Sequence, residues 1–85
     1  MRYFEVDFIA PDGTGETHYY ALLMEKYDDP EEDNLNIDAE LCWAIEDDMW
    51  HFARRTCPRH HDLDQWWSES QWYWCEISEG KMIGG

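Results

Sequence analysis

The residues best suited to chemistry in this sequence lie in one run, residues 57–61 (CPRHH). Cys57 and His60 have a C-x2-H spacing that could bring a thiolate and an imidazole onto one zinc ion, and Cys42 or Cys75 could add ligands. Structural zinc sites generally contain two paired ligand motifs, whereas this chain has one. The run therefore predicts a packed cysteine with exposed or capping histidines, and a small zinc-binding module is an alternative.

Catalysis by the same run is not expected. A nucleophilic Cys57 would need His60 or His61 as a base and a binding element for the developing oxyanion, and no glycine-rich segment of that kind accompanies it. A strongly acidic environment also disfavours the thiolate. The sequence contains no P-loop, no G-x-G-x-x-G and no H-E-x-x-H motif. We therefore expect a protein that is not an enzyme and that binds no cofactor.

The charge of the chain excludes further classes of function. Twenty Asp and Glu against six Lys and Arg give a formal net charge of −14, which repels nucleic acid and anionic membranes over about a Debye length. Direct nucleic-acid binding is therefore not expected. A hydrophobic content of 44%, with six Trp, five Tyr and three Phe, predicts a folded core rather than a disordered chain.

The length of the chain and its cysteine count predict its domain organisation and its cellular compartment. A chain of 85 residues predicts a single domain over residues 1–85. No stretch approaches the about 20 apolar residues that cross a bilayer, and the first ten residues alternate apolar and acidic positions, unlike a signal peptide. Three cysteines cannot all pair within one chain, which favours a reducing compartment. These features predict a soluble, cytoplasmic protein.

The elements that must position the side chains follow from periodicity. Residues 2–10 alternate strictly, which predicts a half-buried strand. Residues 11–15 (PDGTG) predict a hairpin loop, and residues 17–25 a second strand. Residues 71–78 (QWYWCEIS) predict a third strand.

The two faces of this sheet are expected to differ. The inner face is predicted to hold Phe4, Val6 and Phe8. The outer face is predicted to hold Tyr3, Glu5 and Asp7 with Trp72, Trp74 and Glu76 of the third strand. Such a face would mix carboxylates with aromatic rings.

A helix is expected after the hairpin. Residues 27–36 (YDDPEEDNLN) predict a solvated loop because acids surround Pro30. The main helix is then predicted over residues 38–55, with Asn36 or Asp38 as N-cap and the following Cys-Pro dipeptide as its end.

The rest of the chain completes the predicted order of secondary-structure elements. Residues 60–70 allow a short second helix, and residues 80–85 are expected to form a frayed tail. The predicted fold is α+β, with ββαβ order and a three-stranded antiparallel sheet that packs one main helix on one face.

Two tryptophans of the main helix point away from its core side. The core side is predicted to hold Leu41, Ile45, Met49 and Phe52. Trp43 and Trp50 lie opposite, within a ring of charged residues. Either Trp66 and Trp67 fold back over the helix and cover them, or a partner does, since Trp is enriched at binding hot spots.

The acids are concentrated in one part of the chain. Between residues 25 and 48 there are eleven acids and one base, Lys26, a density that opposes folding through self-repulsion and indicates a cationic partner. In size, charge and tryptophan content the chain resembles the small acidic inhibitors encoded by phages and mobile elements, including anti-CRISPR and anti-restriction proteins. That resemblance implies a protein that blocks a nucleic-acid-handling complex in the host cytoplasm.

Two hypotheses follow. The first is an inhibitory binding protein that presents an acidic, aromatic-containing surface to a basic nucleic-acid-binding partner. The alternative is an acidic structural or adaptor subunit that binds a protein partner through exposed aromatics. The expected partner-binding residues are Glu5, Asp7, Asp28, Asp29, Glu31, Glu32, Asp33, Glu40, Trp43, Glu46, Asp47, Trp50, Trp72 and Trp74.

Overall fold

Two strands, a long helix, a short helix, a third strand and a last short helix follow one another in a computed structural model that describes residues 1–84, with the side chains of residues 1–81. The elements are β1 (Arg2–Ile9), β2 (Gly15–Leu22), α1 (Pro30–Thr56), α2 (Leu63–Glu69), β3 (Gln71–Ile77) and α3 (Glu79–Gly84). The strands form one antiparallel sheet in the order β2-β1-β3. The predicted α+β fold is confirmed, and α3 is added to it.

β1 lies at the centre of the sheet, and its alternation supplies an apolar inner face. Phe4, Val6 and Phe8 are fully buried there, as predicted. The predicted hairpin joins β1 to β2, with Gly13 at a φ of 91°, a conformation that glycine adopts without steric cost. β2 begins and ends earlier than the predicted range of 17–25.

α1 begins at Pro30, so the prediction of a loop over residues 27–36 and of an N-cap at Asn36 or Asp38 was wrong. Asp29 is the N-cap, and its carboxylate accepts a hydrogen bond from a first-turn N–H. Proline suits the first helical position, where its missing N–H is not needed, and the acids that follow favour the positive end of the helix dipole. Residues typical of an acidic loop are thus also typical of a helix start.

The end and the core side of α1 are as predicted. Cys57 caps the helix, and its N–H donates to the Ala53 carbonyl at 2.9 Å. The buried residues of α1 include Leu41, Ile45, Met49 and Phe52, together with Ala53. The short second helix is present as α2, and its Trp66 is buried and donates from Nε1 to Thr56 Oγ1 at 2.9 Å.

β3 presents the opposite face from the one predicted. Its register pairs Trp74 with Val6 and Trp72 with Phe8, and directly opposed residues of an antiparallel pair lie on the same face. Both tryptophans therefore face α1, partly buried against the core, and Trp74 Nε1 donates to Asp38 at 2.6 Å. The outer face instead holds Tyr73, Cys75 and Ile77 beside Asp7, Glu5 and Tyr3.

The end of the described chain is helical. α3 occupies most of the range predicted as a frayed tail, and Gly85 of that range lies outside the described residues. Lys81 Nζ lies 3.5 Å from Glu5 Oε2, so α3 reaches the outer face of the sheet. Among residues 1–84, no helix has the length and apolar character needed to cross a membrane.

Candidate functional site

One ion-pair network joins β1, α1 and β3. The Arg2 guanidinium donates two hydrogen bonds of 2.9 Å to the Asp33 carboxylate and two of 2.8 and 3.0 Å to that of Glu76. Its Nη1 also lies 3.3 Å from the Glu25 carbonyl. We call Arg2, Asp33 and Glu76 the corner network. It tethers the start of α1 to the sheet through one partly buried cation.

The corner network lowers the pKa of its carboxylates. Hydrogen bonds from Arg2, supported by the Tyr27 N–H, lower the pKa of Asp33 to about 2, and Arg2 also lowers the pKa of Glu76. The pKa of Arg2 is raised by the same contacts. Asp33 is 5% exposed and its carboxylate accepts from Arg2, which argues against the predicted contact of this residue with a partner.

Other carboxylates of α1 are in a different state from that of Asp33. We call the exposed residues Glu31, Glu32, Glu40, Glu46 and Asp47 the outer acids. Among the described side chains, none donates a hydrogen bond to them or forms an ion pair with them. Asp38, also exposed, accepts only from Trp74. These carboxylates keep their full capacity to accept hydrogen bonds.

A groove of about 460 Å³ lies between α1, α2 and the start of β3. Its lining consists of Cys42, Trp43, Ile45, Glu46, Met49, Trp67, Ser68, Ser70 and Trp72. Trp43 is 79% exposed and Trp67 39%. Trp67 packs edge-on against Trp50, with ring centroids 5.5 Å apart. The predicted fold-back of α2 thus covers Trp50 but leaves Trp43 open to solvent.

The remaining predicted acids lie away from this groove. Glu5 and Asp7 are on the outer face of the sheet, where Tyr19 and Thr17 donate to them at 3.4 and 2.7 Å. Asp28 and Asp29 precede α1, and Asp29 is used as its cap. The structure therefore brings Glu46 together with Trp43 and Trp72, and places the acids of β1 on a separate surface.

The run at residues 57–61 is not assembled into a metal site or a catalytic pair. The Cys57 thiol lies 3.4 and 3.6 Å from the carbonyl oxygens of Pro58 and His61, and its one proton can be donated to either. Cys75 is on the outer face of the sheet, where partial desolvation and the Glu5 carboxylate raise the pKa of its thiol. Among residues 1–84, no group of three or more His, Cys, Asp or Glu side chains converges as metal ligands would.

Sequence reasoning missed the opposite end of α1. Residues 49–61 contain three arginines and three histidines and no acid, and Arg54 and Arg59 are exposed. Arg55 forms an ion pair of 2.5 Å with Glu16 of β2, which lowers the pKa of Glu16. The absence of acids from this stretch was the available signal. α1 is therefore acidic along most of its length and basic at its end.

Comparison with known protein families, curated proteins and solved structures found no match to this chain. Its chemistry must therefore be inferred from the geometry above. That geometry combines exposed, unpaired carboxylates with an aromatic groove on the same helix. Such a surface is suited to binding a cationic macromolecule through charge and desolvated contacts.

Proposed function

We propose that this protein is an inhibitory binding protein that presents the outer acids of α1 to a basic nucleic-acid-binding protein and thereby blocks its access to DNA or RNA. By resemblance to phage-encoded anti-CRISPR and anti-restriction inhibitors, the partner is a host defence complex, met in the host cytoplasm. The inhibitor itself makes no contact with nucleic acid and needs no cofactor.

The observation that carries the proposal is the spacing of the carboxylates along α1. From Glu31 to Asp47 the helix rises about 24 Å. The outer acids and Asp38 supply six exposed carboxylates over that length, with a mean axial spacing of about 5 Å, against about 3.4 Å per phosphate along one DNA strand. A cationic groove that fits a nucleic-acid strand would therefore meet a comparable linear density of negative charge on α1.

Exposed carboxylates are individually weak contacts. A rim ion pair contributes about 0.2 to 1 kcal/mol and is screened by salt. Binding must therefore depend on many acids together, and electrostatic attraction should act mainly on the rate and specificity of association. The complex is expected to weaken steeply as ionic strength rises.

The first test captures the partner. The purified protein is immobilised and exposed to a nuclease-treated bacterial lysate at low salt, and bound proteins are eluted with a rising NaCl gradient and identified. Each eluted protein is then tested for binding to its own DNA or RNA, by fluorescence anisotropy, with and without the inhibitor. We expect the inhibitor to displace the nucleic acid from the captured protein at low salt. At high salt this displacement should be lost.

A matched pair of variants assigns this effect to α1. The test variant neutralises four outer acids, as Glu31→Gln, Glu32→Gln, Glu40→Gln and Asp47→Asn. The control removes the same charge from exposed acids elsewhere, as Glu25→Gln, Asp64→Asn, Glu69→Gln and Glu79→Gln. The test variant should inhibit at least about tenfold less well and the control should stay within about threefold. Equal inhibition by both, with both folded by circular dichroism, would contradict the proposal.

A second candidate is an adaptor that binds a neutral protein through its exposed apolar side chains. It is favoured by the exposure of Leu35, Trp43 and Tyr73. Hydrophobic association survives raised ionic strength. A complex that resists high salt and is lost on Trp43→Ala, but not on neutralising the outer acids, would support the adaptor instead.

A further inference from the structure

The side-chain oxygen atoms of the groove between α1 and α2 are all hydrogen-bond acceptors. Ser68 Oγ donates its proton to the Gln65 carbonyl at 2.9 Å, and Ser70 Oγ donates to that of Trp66 at 2.8 Å. Their lone pairs remain, and the ionised Glu46 carboxylate only accepts. These oxygens therefore favour a ligand group with several N–H donors, which the Glu46 carboxylate can accept.

The walls of the groove restrict that ligand group further. Trp43 and Trp67 both line it and both are exposed. Trp43 and Glu46 are one helical turn apart, so the ring and the carboxylate can contact the same group. Indole faces attract cations. A guanidinium can both stack on an indole and donate a planar pair of hydrogen bonds to a carboxylate, whereas an ammonium is compact and strongly hydrated.

We infer that this groove binds an arginine side chain of the basic partner. This inference rests on the proposed function. It adds that an arginine of the partner is the residue that enters the groove. Charge complementarity supports an occupant from another protein, because the groove lies on a chain of net charge −14. Two copies of this chain repel each other, which opposes insertion of Arg54 or Arg59 from a second copy.

The probe is a pair of peptides of equal length and charge, one with arginine and one with lysine at every basic position. Binding to the full chain is measured by calorimetry, and contacts are mapped by NMR from the six indole N–H signals. The arginine peptide should bind at least about threefold more tightly. The signals of Trp43 and Trp67 should shift most, and that of the buried Trp66 least.

Variants assign the preference to the groove. Trp43→Leu keeps an apolar side chain but removes the ring, and Glu46→Gln removes the carboxylate charge. Each should abolish the preference for arginine over lysine. Glu40→Gln is the matched control, since it removes the same charge from another exposed position of α1, and it should weaken both peptides equally.

The outcomes separate this inference from the proposed function. Equal affinity for the two peptides, or an arginine preference that survives Trp43→Leu, overturns the arginine anchor. If the charge variants of α1 still lose inhibition of the captured partner, the proposed function stands without it. Sedimentation tests the competing occupant: a dimer that Trp43→Leu dissolves would overturn the assignment to a partner.

Discussion

Asp33 and Glu40 lie about two helical turns apart on the same face of α1, yet their carboxylates are in opposite states. Asp33 is buried and holds both terminal nitrogens of Arg2. Glu40 is exposed, and no described side chain pairs with it. The difference comes from what lies across from each residue. Arg2 of β1 reaches Asp33 in the first turn, whereas no described cation or donor reaches the Glu40 carboxylate.

The carboxylates of the chain therefore fall into two groups: those that stabilise the fold and those that remain available to a partner. A carboxylate opposite a partly buried guanidinium contributes to folding, because removing either partner leaves an uncompensated charge. A carboxylate in water contributes little to folding and remains available to a partner. Net charge alone does not distinguish the two, so predictions that separate them test the interpretation directly.

The largest expected effect is that of Arg2→Ala. It leaves the buried Asp33 beside Glu76 with no cation between them, so we expect the free energy of unfolding to fall by about 3 kcal/mol. Urea denaturation measures this. Arg2→Lys keeps the charge but loses the forked geometry, so its free energy of unfolding should lie between those of wild type and Arg2→Ala. A loss below about 1 kcal/mol for Arg2→Ala would mean that the corner network contributes no more than an ordinary hydrogen bond.

The second prediction concerns the pH dependence of the same network. The folded pKa of Asp33 is about 2, below the about 3.9 of an unfolded Asp, so between these values the unfolded chain binds more protons. The stabilisation is therefore complete above about pH 4 and is lost as the pH falls toward 2. Glu76, whose pKa is also lowered, acts in the same direction.

The measurement compares wild type with Arg2→Ala by urea denaturation from pH 7 to pH 2. Their difference cancels the contributions of acids outside the corner network. It should be largest at neutral pH and shrink as the pH falls toward 2, and the shrinkage should begin above pH 4 because the uncompensated carboxylates of Arg2→Ala bind protons first. A gap of the same size at pH 2.5 and pH 7 would show that the carboxylates of Asp33 and Glu76 are not the groups that Arg2 stabilises.

The sequence allowed prediction of the elements whose signals are local. The alternation of Phe4, Val6 and Phe8 identified the inner face of β1, and the Cys-Pro dipeptide identified the end of α1. The start of α1 was missed because Asp29-Pro30 suits a loop and a helix N-terminus equally well. The contact of Arg2 with Asp33, which holds this first turn against the sheet, joins residues distant in sequence and was not visible in the local pattern.

The face of β3 could not be predicted for a similar reason. Both alternating sets in this strand are rich in apolar residues, Trp72 and Trp74 on one side and Tyr73 and Ile77 on the other. Periodicity therefore does not choose the buried set. The choice is made by pairing with β1, which places Glu76 beside Arg2. The same choice moved both tryptophans from the predicted outer surface to the groove and core.

The smallest expected effect on stability is that of the double variant Glu40→Gln, Asp47→Asn. This variant tests the exposed carboxylates of α1, as Arg2→Ala tests the buried carboxylate of Asp33. Both residues are exposed, so the free energy of unfolding should change by no more than about 0.5 kcal/mol. Any change should be toward greater stability, because two like charges are removed from an acidic helix. That gain should vanish in high salt, since screening already removes the repulsion in wild type. Destabilisation comparable to that of Arg2→Ala would mean that these acids also stabilise the fold, and that inhibition lost on neutralising them reflects unfolding rather than a lost contact.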